Sequence, residues 1–142
     1  MHRFLEAHVA DYMTTPAVTV TLDTRLDVLE DRFTTYDFNG LPVVDGGALV
    51  GMVTKFDLLK AFVFTPQTVV PQYEELVALT AERIMTRDVV SFAASAPLTR
   101  VLQALVDFRV KSFPVLDGRR VVGIIAREDV VRALHDARTA TT

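Results

Sequence analysis

The chain of 142 residues is half hydrophobic and 23% charged, enough apolar material for a core and too ordinary a charge content for a disordered segment. A formal net charge of −3 argues against general nucleic-acid binding, and the absence of cysteine excludes disulfides and thiolate metal sites. No apolar run approaches the roughly 20 residues that span a bilayer, and Met1 to Glu6 has no long signal-peptide core, so a cytoplasmic protein is expected.

Residues 1–12 read as a lead-in, 9–62 as a first repeat, 63–80 as a linker, 81–137 as a second repeat and 138–142 as a tail. Val18-Thr19-Val20-Thr21 alternates apolar and polar, as a half-buried strand does. Asp23 is the expected N-cap of a helix that carries Leu26, Leu29 and Phe33 on one face. Two strands follow, Leu41 to Val44 and Leu49 to Val53, joined at Asp45-Gly46-Gly47, a strong hairpin signal. A second helix starts near Thr54 and turns Leu58 and Leu59 inward. Lys60 to Thr80 breaks the pattern: Pro66 and Pro71 discourage helix, and Tyr73 to Leu79 suits a short one.

The second repeat reads the same way. A strand at Val90-Ser91 precedes Ser95 as N-cap, Pro97 in the first turn, and a helix with Leu98, Val101, Leu102, Leu105 and Val106 on one face. Strands over Phe113 to Leu116 and Val121 to Ile125 flank a turn at Asp117-Gly118. A last helix begins near Ala126 and carries Val130 and Val131 inward. A shift of 72 residues lays this half on the first without a gap. From Met13 to Leu59 it gives 11 identities in 47 positions, where ordinary composition gives about three. A single repeat of about 50 residues buries too little surface to stand alone. The expected fold is α/β (α+β): two pseudo-symmetric β-α-β-β-α repeats packed sheet against sheet as one module.

The motifs, in order and twice, closely resemble the CBS domain pair, or Bateman module. They are Tyr12-Met13-Thr14 with Val18-Thr19-Val20, Gly40-Leu41-Pro42-Val43-Val44-Asp45, and Val50-Gly51-Met52-Val53-Thr54-Lys55-Phe56-Asp57. The second set is Ile84-Met85-Thr86 with Val90-Ser91, Phe113-Pro114-Val115-Leu116-Asp117, and Val122-Gly123-Ile124-Ile125-Ala126-Arg127-Glu128-Asp129. The resemblance covers residues 9 to 135.

Thr54 followed by Asp57 fits a capping box that needs no ligand. The same residues fit a phosphate-attracting helix start, with a carboxylate that accepts from two vicinal ribose hydroxyls. The resemblance implies the latter: a non-catalytic regulatory module that senses AMP, ADP or ATP, with Asp57 on the ribose and Thr54 on ribose or phosphate. It also implies a cleft between repeats in which Met52, Thr54 and Asp57 meet Thr86, Val90, Ser91, Val110 and Lys111. A second, weaker cleft joins Asp129 and Ile124 to Thr14, Val18, Thr19, Phe38 and Asn39, with Ala126 lacking the hydroxyl of Thr54. For Val18, Val90 and Val110, core packing remains the alternative to an adenine wall. Lys55, Arg87, Arg119, Arg120 and Arg127 stand as further cations or as merely solvated ones. This modest charge supply favours AMP over ATP.

His2, His8 and His135 stand near the ends, so no nucleophile–base pair or metal cluster is read, and no enzyme, metal or required cofactor is expected. S-adenosylmethionine is the alternative ligand. A ligand-independent dimerisation or protein-interaction module is the alternative function, consistent with a mean hydropathy of +0.29. A homodimer, allosteric action and an unidentified regulated protein are the expected partners of the ligand reading, with no membrane or nucleic acid.

Overall fold

The computed structural model describes residues 2–63 and 73–140. The first half contains α1 (His2–Glu6), α2 (Val9–Tyr12), β1 (Val20–Thr21), α3 (Leu26–Thr35), β2 (Gly40–Asp45), β3 (Ala48–Thr54) and α4 (Lys55–Ala61). The second contains α5 (Tyr73–Val77), α6 (Ala81–Ile84), β4 (Phe92–Ala93), α7 (Leu98–Phe108), β5 (Ser112–Asp117), β6 (Arg120–Ala126) and α8 (Arg127–Thr139). Pro66 and Pro71 lie outside the described residues. Among the described residues no helix is long and apolar enough to cross a membrane.

The chain divides into two compact units, Val18–Val89, and Met1–Ala17 with Val90–Thr142. The division is offset from the sequence repeats: the segment that opens each repeat packs with the body of the other.

In the unit Val18–Val89, β1 runs parallel to β2 with Val20 opposite Val43, and β2 pairs antiparallel with β3. The turn between them holds Gly46 and Gly47 at φ +58° and +85°, a region that glycine enters without steric cost. Leu26, Leu29, Leu41, Val43, Val53 and Ala81 form its core. In the other unit, β4 runs parallel to β5 with Phe92 opposite Val115, and β5 pairs antiparallel with β6. Phe4, Val9, Leu98, Val101, Phe113 and Ile125 are buried there. The β-α-β-β-α order expected of each repeat is present, but the first strands are short: Val20–Thr21 is the second half of the expected Val18 to Thr21, and Phe92–Ala93 follows the expected Val90-Ser91, which forms no ladder.

The helix starts differ from expectation. The N-cap positions are Arg25 and Pro97, not Asp23 and Ser95. Asp23 instead accepts from the Thr21 hydroxyl at 2.5 Å, inside a turn closed by Thr21 N–H on the Thr24 hydroxyl. The first helical N–H groups meet backbone carbonyls from distant segments: Leu26 donates to Leu79 at 2.7 Å and Leu98 to Ala7 at 3.0 Å. An orphan donor so satisfied needs no side-chain cap.

Three inward assignments are also corrected. Leu58 and Val130 are buried, but Leu59 and Val131 are 65% and 64% exposed. Adjacent helical residues point about 100° apart, so both members of each pair cannot share a narrow stripe. Val106 is 64% exposed, and the small Ala104 takes the buried place on α7.

Each opening segment is held by a reciprocal backbone pair. Met52 N–H donates to Thr86 O at 2.9 Å and Thr86 N–H to Met52 O at 2.8 Å. In the other unit Thr14 N–H donates to Ile124 O at 2.8 Å and Ile124 N–H to Thr14 O at 3.0 Å. Both pairs stand beside a glycine. A Cβ on Gly51 would lie 2.6 Å from Met85 Sδ and 2.9 Å from Thr86 O; one on Gly123 would lie 2.9 Å from Thr14 O. A methyl group at either position forces the backbone apart. Gly51→Ala and Gly123→Ala are each expected to cost about 1–3 kcal/mol, typical of overpacking. Urea unfolding at constant m-value measures this, and an unchanged midpoint would refute the close approach.

Candidate functional site

Thr54 ends β3 and is the N-cap residue of α4. Its hydroxyl oxygen accepts from Asp57 N–H at 3.1 Å, while Asp57 Oδ2 accepts from Thr54 N–H at 2.9 Å, so the capping box forms. The same carboxylate oxygen lies 3.0 Å from the Thr54 hydroxyl. Asp57 is only 4% exposed, and the Thr86 hydroxyl donates across both its oxygens at 3.3 Å. Lys60 Nζ stands 3.7 Å from Oδ1, with its exposed side chain 5.3 Å over the Phe56 ring. A buried carboxylate is therefore gathered with two hydroxyls, one backbone N–H and one nearby ammonium.

Asp129 occupies the corresponding position in the other unit, 7% exposed. Its Oδ2 accepts from Ala126 N–H at 2.8 Å, and Ala126 offers no hydroxyl. The donor on Oδ1 is Arg132, whose Nη1 lies 3.2 Å away. Nη2 of the same guanidinium donates to the Tyr12 carbonyl at 3.1 Å, and the group lies 5.3 Å over the Tyr12 ring. Tyr12 in turn donates its hydroxyl to Asp136 Oδ2 at 2.8 Å. Burial, then the Asp136 carboxylate, push the Tyr12 phenol above its ordinary pKa.

Of the residues expected in the first cleft, Met52, Thr54, Asp57 and Thr86 come together within one unit. Val90, Ser91, Val110 and Lys111 belong to the other unit. Of the second set, Thr14 and Ile124 are bonded to each other and share their unit with Asp129, while Val18, Thr19, Phe38 and Asn39 belong to the other. Asn39 and Lys111 occupy matching positions, each accepting through its carbonyl from the first residue of a helix, Lys55 or Arg127. Arg127 Nε lies 3.6 Å from Glu128, with both side chains more than half exposed. Sequence reasoning missed Lys60 and Arg132. Their signal was an acid followed three residues later by a base, a spacing that puts the two on one helix face. Among the described residues no group of three His, Asp or Glu side chains is placed to hold a metal.

The model of the CBS domain family matches residues 9–63 and 81–136. The chain belongs to the CBS domain family. The two matched segments make it a tandem CBS pair. A CBS domain-containing protein of Dictyostelium discoideum is 30% identical over 130 residues, covering 89% of this chain and 90% of that protein. The chain spans only 13–46% of the length of the first four curated relatives that it matches, among them an A-adding tRNA nucleotidyltransferase of Geobacter sulfurreducens. Among solved structures, the CBS domain pair of protein MJ0100 in complex with 5′-methylthioadenosine and S-adenosyl-L-methionine is similar at a TM-score of 0.76 and 29% identity, covering 92% of this chain and 98% of that one. CBSX2 in complex with AMP is similar at a TM-score of 0.77 and 25% identity, with the same two coverages.

The CBS pair thus carries two equivalent carboxylates with different donors. Removing the cap hydroxyl at the first tests how far it supports the fold. Thr54→Ala is expected to lower stability by about 0.5–2 kcal/mol, and Thr54→Ser to retain most of it. Denaturant unfolding of both variants measures the difference; equal losses would show that the hydroxyl does not cap α4.

Proposed function

We propose that this CBS pair is a non-catalytic regulatory module that binds an adenosyl ligand, with Asp57 holding the two ribose hydroxyls and AMP the first ligand to test. The observation that carries the reading is the meeting of the half-buried Thr54 and the exposed Thr86 hydroxyls at the buried Asp57 carboxylate, which leaves that carboxylate open to a ligand from the Thr86 side. A vicinal diol presents two O–H donors, and an ionised carboxylate accepts both through its two oxygens. The Thr86 hydroxyl is shared between those oxygens at 3.3 Å, longer than an ordinary O–H···O bond. It is the donor that a ribose hydroxyl replaces at least cost. The ligands named for the similar solved pairs, 5′-methylthioadenosine, S-adenosyl-L-methionine and AMP, differ at the 5′ position and share adenosine. That supports recognition centred on base and ribose. A ligand that favours one arrangement of the chain shifts its population towards it, the physical basis of regulation.

Asp57→Asn keeps the side-chain shape and removes the charge. It is expected to weaken AMP at least tenfold in calorimetric titration, with Asp129→Asn having the smaller effect. In thermal melts of the unmodified chain, a ligand at 100 times its dissociation constant adds about 2.7 kcal/mol, or several degrees. No melting shift with AMP, S-adenosylmethionine or 5′-methylthioadenosine would overturn the proposal.

A second reading, association of two copies of this chain, is favoured by the exposed apolar residues Phe56 and Leu59 on α4 and Val63 just beyond it. Such a cluster facing water is unusual for a stable monomer. Leu59→Glu is expected to move the mass by light scattering from dimer to monomer. A monomeric unmodified chain would remove this reading.

A further inference from the structure

We infer that Arg132 closes the Asp129 carboxylate to ribose, so that the chain holds one adenosyl ligand rather than two; this rests on the ribose-holding reading of Asp57. The two carboxylates are related by the 72-residue repeat, are both buried, and both accept the backbone N–H three residues earlier. They differ in what occupies the remaining oxygen. At Asp57 the donor is a neutral, long-bonded threonine hydroxyl, and Lys60 at 3.7 Å is beyond hydrogen-bond distance. At Asp129 the donor is a guanidinium at 3.2 Å.

A ribose hydroxyl arriving at Asp129 competes with a charge-assisted bond, roughly twice as strong as a neutral one. That guanidinium, although its side chain is 53% exposed, has a second attachment in the same unit. Its second nitrogen donates to the Tyr12 carbonyl, its central carbon stands 5.3 Å from the centre of the Tyr12 ring, and the Tyr12 phenol donates to Asp136. Among the described residues Lys60, a flexible ammonium, has no comparable second hydrogen-bonded anchor, its neighbour being the Phe56 ring. Arg132 is thus a specificity-determining residue, and Tyr12 is the residue that positions it. The missing hydroxyl at Ala126 is secondary on this account, because the Thr54 hydroxyl remains engaged with Asp57 in the cap.

The test is calorimetric stoichiometry with AMP and with 5′-methylthioadenosine, which lacks phosphate and so separates ribose recognition from attraction to Arg132. Arg132→Met keeps an aliphatic stem on Tyr12 and removes every donor; its far-ultraviolet circular dichroism and melting temperature check that it folds. One site in the unmodified chain and two in Arg132→Met, the new one lost again in Arg132→Met/Asp129→Asn, is the expected result. No site in the unmodified chain and one in Arg132→Met, abolished by Asp129→Asn, would sink the Asp57 reading and uphold the closure by Arg132. Two sites in the unmodified chain, or one in both proteins, would overturn the closure and leave the Asp57 reading standing. No binding to either would overturn both. Ala126→Thr with Arg132 retained is expected to keep one site, and a second site appearing there would assign the difference to the hydroxyl instead. Should Arg132→Met fail to fold, Arg132→Gln is the second variant, expected to gain at least tenfold in affinity at the Asp129 site.

Discussion

Thr86 reaches Asp57 because the chain around Met85 lies directly against Gly51, where no Cβ intervenes. The reciprocal Met52–Thr86 backbone pair fixes the position, and the hydroxyl then falls within reach of both carboxylate oxygens. Without that approach the capping box at Thr54 would still form, since its atoms are three residues apart. The third member of the cluster would not be there. The glycine in each Val-Gly step is therefore a packing requirement first, and the composition of the polar cluster follows from it.

Much of this arrangement is written locally in the chain. The hairpins are legible because Asp-Gly turns and apolar β-rich runs act over a few residues, and the repeat confirms each reading with a second copy. Asp57 is legible for the same reason. The helix starts were not, because the groups that satisfy Leu26 and Leu98 are carbonyls of Leu79 and Ala7, far away in sequence. Leu59 and Val131 were misread as core because apolar character alone does not fix the face of a short helix. The Arg132–Tyr12 bond spans 120 residues, and no short-range pattern announces it.

Duplication preserved the backbone and let the charge arrangement diverge. A buried carboxylate needs donors, since leaving it unpaired costs several kcal/mol. At Asp57 neutral hydroxyls supply most of them, and at Asp129 a guanidinium does. Alanine at position 126 is tolerable on these terms because Arg132 keeps the second oxygen bonded. The two halves therefore differ in the very property that decides whether a neutral diol can compete.

The offset between repeats and compact units gives the proposed regulatory role a physical route. The chain passes from one unit to the other at Ala17–Val18 and again at Val89–Val90, positions related by the same 72-residue shift. Thr86 stands four residues before the second crossing, and its backbone is pinned to Met52 while its hydroxyl rests on Asp57. In the proposed complex, a ribose that takes over the Asp57 oxygens removes one of those two restraints and leaves the other. On the proposed reading, that change of restraint on the segment leading into the crossing is the differential interaction that any population shift requires. In the other unit the residue that corresponds to Thr86 is Thr14, and the Asp129 carboxylate is joined to that opening segment through Arg132, which bonds both Asp129 and the Tyr12 carbonyl, rather than through a threonine hydroxyl.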